Sequence, residues 1–249
     1  MIRKILFAIR NRFESSKGMN QVLDWATNNP IYRHFTYKIF EKKVNEIKKT
    51  KKYLFAIEVS SFCNARCFFC PNSFMKRRKT NLGMEMFLKL VERIKEEGIT
   101  PRSFNLTGTG EPLLDKTLLD KVEILKTNFP ESEVFFPSNL ALASEETLEK
   151  IVASKLDHIS ISLNASNAAD YKRIMKLDYK KTIKNVNLLI RLRNKKNPNL
   201  KISLSVAANP INKKSIDIFI KKWQGKVDNI AINWINTWAG AIKNGEVKR

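Results

Sequence analysis

From residue 53 onward the chain repeats one rhythm: a short strand-like run, a turn, then a segment of helical period. This rhythm constrains the fold more than any other feature. Strands separated by helices pair in parallel, through crossovers of one hand. Strands are expected at 53–60, 103–107, 133–137, 158–163, 201–206 and 229–235. Met84, Phe87, Leu88, Val91 and Ile94 mark a helix closed by Gly98, and further helices are expected near 117–128, 179–193 and 215–223. Ser144, with Glu145 and Glu146 behind it, caps another. Parallel strands covered on both faces usually read as continuous apolar runs, but several of these alternate. Phe55, Ile57 and Val59 oppose Ala56, Glu58 and Ser60; Phe104 and Leu106 oppose Ser103, Asn105 and Thr107; Ile159, Ile161 and Leu163 oppose Ser160, Ser162 and Asn164. The sheet therefore has an apolar face for helices to cover and a polar face. A polar face on a curling sheet is best explained by a ligand-filled interior. The alternative, a one-sided sheet open to water, fits poorly with a helix after nearly every strand. The expected class is α/β, a partial (β/α)6 barrel.

The chain has 249 residues, enough for one sizeable core, and its 43% hydrophobic and 28% charged content is that of a globular protein. Its 46 Lys and Arg against 24 Asp and Glu give a net charge of +22, which attracts anions. The lysines are spread through every segment, so a bias of host composition accounts for the charge as well as nucleic-acid binding does. Residues 1–52 read as an N-terminal helical extension. Ile2, Ile5, Leu6, Ile9 and Phe13 share a helical face, with Arg3, Lys4, Arg10 and Arg12 largely off it. Such a helix packs on its own domain or makes peripheral contact with an anionic membrane. Pro30 breaks the region, and Phe35, Ile39, Phe40, Val44 and Ile47 mark a second helix. No apolar run approaches the ~18 residues of a membrane span. The expected domains are the extension at 1–52, a core barrel at 53–240 and a tail at 241–249.

All three cysteines, Cys63, Cys67 and Cys70, sit within one loop directly after the first strand. Their odd number and lack of framework spacing point to a reducing, cytoplasmic setting. Three thiolates this close bind a soft metal centre. A structural zinc site wants four ligands, and His34 and His158 lie far away in sequence. A cluster of four irons held by three cysteines leaves one iron open. Chance clustering, buried structural thiols and a zinc module stand as the other readings. After the second strand comes Thr107-Gly108-Thr109-Gly110-Glu111-Pro112. Glycines there let the backbone approach a ligand, and Glu111 can accept hydrogen bonds from an ammonium group. Both segments lie at carboxyl ends of strands, where parallel α/β folds bind ligands.

The cysteine spacing, with Phe69 before the third cysteine, resembles the signature of the radical S-adenosylmethionine (radical SAM) superfamily. The glycine segment is similar to that family's Gly-Gly-Glu-type motif, with Thr109 inserted. The resemblance covers roughly 53–240. It is nearest to the SPASM or twitch subset, though without the Cys-rich C-terminal domain: no cysteine follows Cys70. Trp234 and Trp238 resemble the lead-in to such a domain, so a truncated or minimal member is expected, or one whose last helix comes from elsewhere.

The resemblance implies a 4Fe–4S cluster on Cys63, Cys67 and Cys70, with S-adenosyl-L-methionine (SAM) as second cofactor. It implies SAM contacts from Gly108, Gly110 and Glu111 to the methionine amino group, and from Asn139 at the end of the third strand. Ser162 and Asn164 match the segment that contacts ribose and carboxylate. Phe69 would stack on the adenine and Val206 line it. Met175 occupies the position where members commonly carry arginine, which leaves Arg173 as the candidate carboxylate partner. The implied activity is reductive cleavage of SAM to a 5′-deoxyadenosyl radical that abstracts hydrogen from a peptide or small-metabolite substrate. An acidic electron donor, flavodoxin or ferredoxin, is implied, with Lys76, Arg77, Arg78 and Lys79 as its docking tract. An RNA-modifying enzyme and a non-catalytic iron–sulfur scaffold are the alternatives.

Overall fold

The computed structural model describes residues 29–50, 52–235, 242–243 and 246–247. The expected helix of residues 2–13 lies outside them. The chain divides between Lys52 and Tyr53 into two units. In the first, helix α1 spans Pro30–Thr50. Pro30 starts this helix rather than breaking it, because proline at the first helical position gives up only an N–H that has no partner there.

In the second unit, six parallel strands form a curled half-barrel in the order β1 to β6. These are β1 (Lys52–Ala56), β2 (Thr100–Asn105), β3 (Glu133–Ser138), β4 (His158–Ser162), β5 (Lys201–Ala208) and β6 (Asn229–Trp234). Between them run α2 (Met84–Glu96), α3 (Leu118–Asn128), α4 (Glu145–Ala153), α5 (Ala168–Met175), α6 (Tyr179–Lys196) and α7 (Ile216–Trp223). Short strands β7 (Ile242–Lys243) and β8 (Glu246–Val247) pair antiparallel. Registers such as Ser138 beside Ile161 and Ser162 beside Ser205 bring the carboxyl ends of neighbouring strands to one rim.

The alternation seen in the sequence sets the layers. Phe104, Val134, Phe136, Ile159, Ile161, Ile202 and Leu204 are completely buried, in one cluster with Phe87, Val122, Leu148, Ile151, Val186 and Leu189 of the helices. Fully burying side chains of this size contributes about 1.5–3 kcal/mol each. On the other face, Phe135 stacks on His158 with ring centroids 5.8 Å apart, and His158 Nε2 lies 2.7 Å from Ser203 Oγ. These residues lie on the interior face of β3, β4 and β5, short of the carboxyl rim. β6 is less covered than the inner strands, with Ile230 and Ile232 half-buried.

Two elements differ from the sequence reading. β1 ends at Ala56, four residues early, and the chain beyond it turns to serve the rim. Helix α5 had no clear signal, since its eight residues carry only Tyr171, Ile174 and Met175 as buried positions. Asn167 caps it, accepting from the Asp170 amide at 2.9 Å, and Lys176 in the left-handed region (φ 60°) ends it.

Candidate active site

Cys63, Cys67 and Cys70 line one cavity of about 180 Å³ at the carboxyl ends of the first four strands. The loop carrying them is pinned on three sides. Glu111 N donates to the Phe62 carbonyl at 2.7 Å. Arg66 N and Phe68 N donate to the carbonyls of Met175 and Ile174, at 3.0 and 3.3 Å. The last carbonyls of a helix lack partners within it, so the end of α5 is satisfied by the cysteine loop. Asn72, buried in the turn Pro71–Phe74, donates to the Ser61 carbonyl at 2.8 Å and accepts from Lys79 at 2.8 Å.

Burial raises the pKa of all three thiols, Cys63 to about 11. For Cys67 the other two sulfurs add to the rise. Such thiols deprotonate readily only against a metal centre's positive charge. Among the described residues no three His, Cys, Asp or Glu side chains are grouped as around a single ion. The three thiols instead line one cavity together.

The segment after β2 forms the facing wall. A Cβ on Gly108 would collide with the Glu58 side chain, and one on Gly110 with the backbone carbonyls of Ser60 and Phe62. These glycines therefore admit the chain that follows β1, not simply a ligand. Glu111 is 3% exposed and sits at the start of the turn Pro112–Leu114. Its carboxylate accepts from Leu113 N (3.2 Å), Ser138 Oγ (2.7 Å), Asn139 N (2.8 Å) and Asn139 Nδ2 (2.6 Å). Burial pushes its pKa up, and these bonds offset part of that. All its usual acceptor sites are taken, so Glu111 ties β3 to the glycine turn. Behind this wall Lys121, completely buried, donates to Asp115 Oδ2 and Thr117 Oγ1, both at 2.6 Å.

The remaining expected residues divide. Asn139 is buried on the cavity and exchanges two hydrogen bonds with Asn64 of the cysteine loop, at 2.8 and 3.3 Å. Ser162 and Asn164 line it from the end of β4, and Phe69 lines it from the loop, edge-on to Phe68. Asn164 has φ 49°, its Oδ1 accepts from Ala207 N at 2.7 Å, and among the described residues its Nδ2 donates to Met175 Sδ, at 3.4 Å. Arg173 is exposed and outside the lining residues; Met175, two residues on, lines the cavity instead. In a helix, residues two apart face different sides, so α5 cannot turn both inward. Val206 is 1% exposed and belongs to the core cluster with Leu204 and Ile202, because strand alternation sends all three to the helix side. Sequence reasoning missed Asn64, Glu58 and Met175 as parts of this site. For Met175 the signal was its arginine position, and for Glu58 its place on the polar face of the first strand; nothing local marked Asn64.

A family profile described as Radical SAM superfamily matches residues 57–218, about two thirds of the chain. The chain belongs to the radical SAM superfamily. By family it is an enzyme whose cofactors are a 4Fe–4S cluster and SAM. This radical SAM chain is 30% identical over 118 residues to a probable GTP 3′,8-cyclase of Archaeoglobus fulgidus, covering 47% of this chain and 38% of that one. It is 28% identical over 111 residues to an S-adenosyl-L-methionine-dependent 2-deoxy-scyllo-inosamine dehydrogenase of Niallia circulans, covering 44% of each. It thus spans under half the length of these curated relatives. Among solved structures, Streptococcus suis SuiB bound to precursor peptide SuiA has the same fold, with a TM-score of 0.63 at 18% identity, over 89% of this chain and 47% of that one. The AdoMet-bound anSMEcpe gives a TM-score of 0.61 at 16% identity, over 74% and 51%. The three thiols around one cavity fit the family's cluster. Among the described residues no helix is long and apolar enough to cross a membrane.

Proposed function

We propose that residues 53–240 form a catalytic core in which Cys63, Cys67 and Cys70 hold the 4Fe–4S cluster, and that SAM occupies the cavity beside it. The carrying observation is that the three thiols and the 108–111 turn line one cavity. When bound and reduced, the cluster supplies one electron to SAM, giving methionine and a 5′-deoxyadenosyl radical that takes hydrogen from the substrate.

The chain's own residues position and enclose. Gly108 and Gly110 form the methionine wall, and Glu111 and Asn139 brace it. Phe69 offers an aromatic face to the adenine. Among the described residues the cavity lining holds no lysine or arginine, so the carboxylate of SAM falls to neutral donors. Asn164 suits this role: Nδ2 spends its bond on a thioether, a weak acceptor, and exchanges it for a carboxylate oxygen at little cost. Ser162, half-buried beside it, is the second donor.

The substrate is a small metabolite or a peptide. The curated relatives are named for small molecules, and SuiB is bound to a peptide. Lys76, Arg77 and Arg78 are exposed next to the turn after Cys70, with Phe74 beside them. They form the docking tract for an acidic electron donor.

The test is anaerobic. The protein is reconstituted with iron and sulfide, given SAM and dithionite, and assayed for 5′-deoxyadenosine by mass spectrometry. The product should form with the cysteines intact and vanish in Cys63→Ala, Cys67→Ala and Cys70→Ala. A cluster that leaves SAM whole would replace this reading with a scaffold; zinc without iron would overturn it.

A further inference from the structure

Glu58 stands two residues past β1, and neither the cysteine motif nor the glycine motif gives it a task. Its side chain is 24% exposed, and it joins the 108–111 turn to the segment that follows Cys70. Oε1 accepts from Thr109 N at 2.7 Å and from Thr109 Oγ1 at 3.0 Å. Oε2 pairs with Arg77 of the segment that follows Cys70. Arg77 Nε also rests on Met75 Sδ at 3.0 Å, which fixes the guanidinium from a second direction.

The glycine next to Thr109 is the complement of this arrangement. Any side chain at Gly108 would occupy the space that Glu58 fills. The bond to Thr109 N also sets the orientation of a peptide unit. In a planar trans peptide the N–H and the preceding carbonyl point opposite ways, so the Gly108 carbonyl points away from Glu58. Both Gly108 and Thr109 line the cavity, and the Thr109 carbonyl lies 4.0 Å from Cys70 Sγ. Burial acts to raise the Glu58 pKa, but the Thr109 and Arg77 hydrogen bonds outweigh it and hold the group below its ordinary range, ionised at neutral pH. A charged acceptor makes the Thr109 bond about twice as strong as a neutral one.

We propose that Glu58 is a positioning residue for SAM, fixing the peptide between Gly108 and Thr109 so that the Gly108 carbonyl is held on the cofactor side and the Thr109 carbonyl against Cys70. The inference rests on the cofactor site proposed above. It adds that recognition of the amino group depends on a carboxylate outside both motifs, acting through a backbone carbonyl. Glu111, fully engaged within the chain, braces the far end of the same turn.

Wild type, Glu58→Ala, Glu58→Gln and Arg77→Ala are reconstituted anaerobically. Each is compared for iron content, for SAM affinity read from the change in the reduced cluster's EPR signal, and for midpoint potential. Iron content should match wild type. Glu58→Ala should weaken SAM binding about tenfold, on the scale of one charge-assisted hydrogen bond. Glu58→Gln keeps an acceptor for Thr109 without the charge and should lose about threefold, as should Arg77→Ala. SAM affinity within twofold of wild type in Glu58→Ala, at equal iron, overturns the proposal. If Glu58→Ala loads less iron, the other two variants decide: a threefold loss at full iron supports it, and wild-type affinity in both overturns it. If wild type itself shows no response to SAM, the cofactor-site reading fails and takes this inference with it.

Discussion

His158 shows how one interior side chain links the barrel to pH. It is half-buried between Phe135 and Ser203, with Glu133 Oε1 4.0 Å from Nδ1. Burial lowers its pKa below the ordinary 6.5, and the nearby carboxylates of Glu133 and Asp228 offset only part of that. The folded protein therefore holds the ring neutral, while the unfolded chain takes up a proton first as pH falls. Stability from this residue is present above the unfolded value and is lost as pH drops through about 6.5 toward the folded value. Urea denaturation of the apoprotein between pH 7.5 and 5.5 should show stability falling, with a shallower fall in His158→Gln. Identical slopes would remove His158 from the account. The same logic of satisfied burial explains Glu111, whose four hydrogen bonds make its position tolerable.

At the scale of elements, the site is a junction of three segments that hold one another through backbone hydrogen bonds. The cysteine loop occupies the carbonyl end of α5, and the 108–111 turn passes beneath the carbonyls of Ser60 and Phe62. A Cβ on Gly110 would meet the backbone carbonyls of Ser60 and Phe62, an obstacle that cannot rotate away as a side chain can. Gly110→Ala should therefore cost about 1–3 kcal/mol or more through overpacking, together with impaired iron loading. Gly83, just before α2, has open space around its Cβ position, and Gly83→Ala should stay within about 0.5 kcal/mol. Urea midpoints and iron content of the two variants check both statements. Equal stability in the two would mean that the turn shifts freely.

For the whole molecule, part of the excess of positive charge lies in the exposed tract after the cysteine loop. If Lys76, Arg77 and Arg78 receive an acidic donor, reduction by flavodoxin or ferredoxin should slow several-fold between 50 and 500 mM salt, because screening shortens the reach of exposed charges. Reduction by dithionite should change far less. A flavodoxin rate independent of salt would move docking elsewhere. A steep loss of tRNA binding over the same range would instead favour a polyanionic substrate.

The sequence by itself determined the layers of this protein and the membership of its cysteine loop. Alternation of Phe104, Ile159 and Ile202 with polar neighbours dictates which face meets the helices, because strand side chains point to opposite faces in turn. The three cysteines could be grouped because they are local in the chain, and β/α order brings the 108–111 turn to the same rim. The sequence reading also named Asn139, Ser162 and Asn164, which line the cavity. Tertiary structure alone decided the rest. Glu58 reaches Thr109 across 51 residues, and Asn64 reaches Asn139 across 75. No local periodicity encodes such pairs. Arg173 and Val206 face away from the cavity because helix and strand geometry commits them elsewhere. The glycines of the turn were legible as glycines, but their reason was not: the crowding that requires them comes from the chain after β1, and that neighbour exists only once β1 and β2 have paired in the half-barrel.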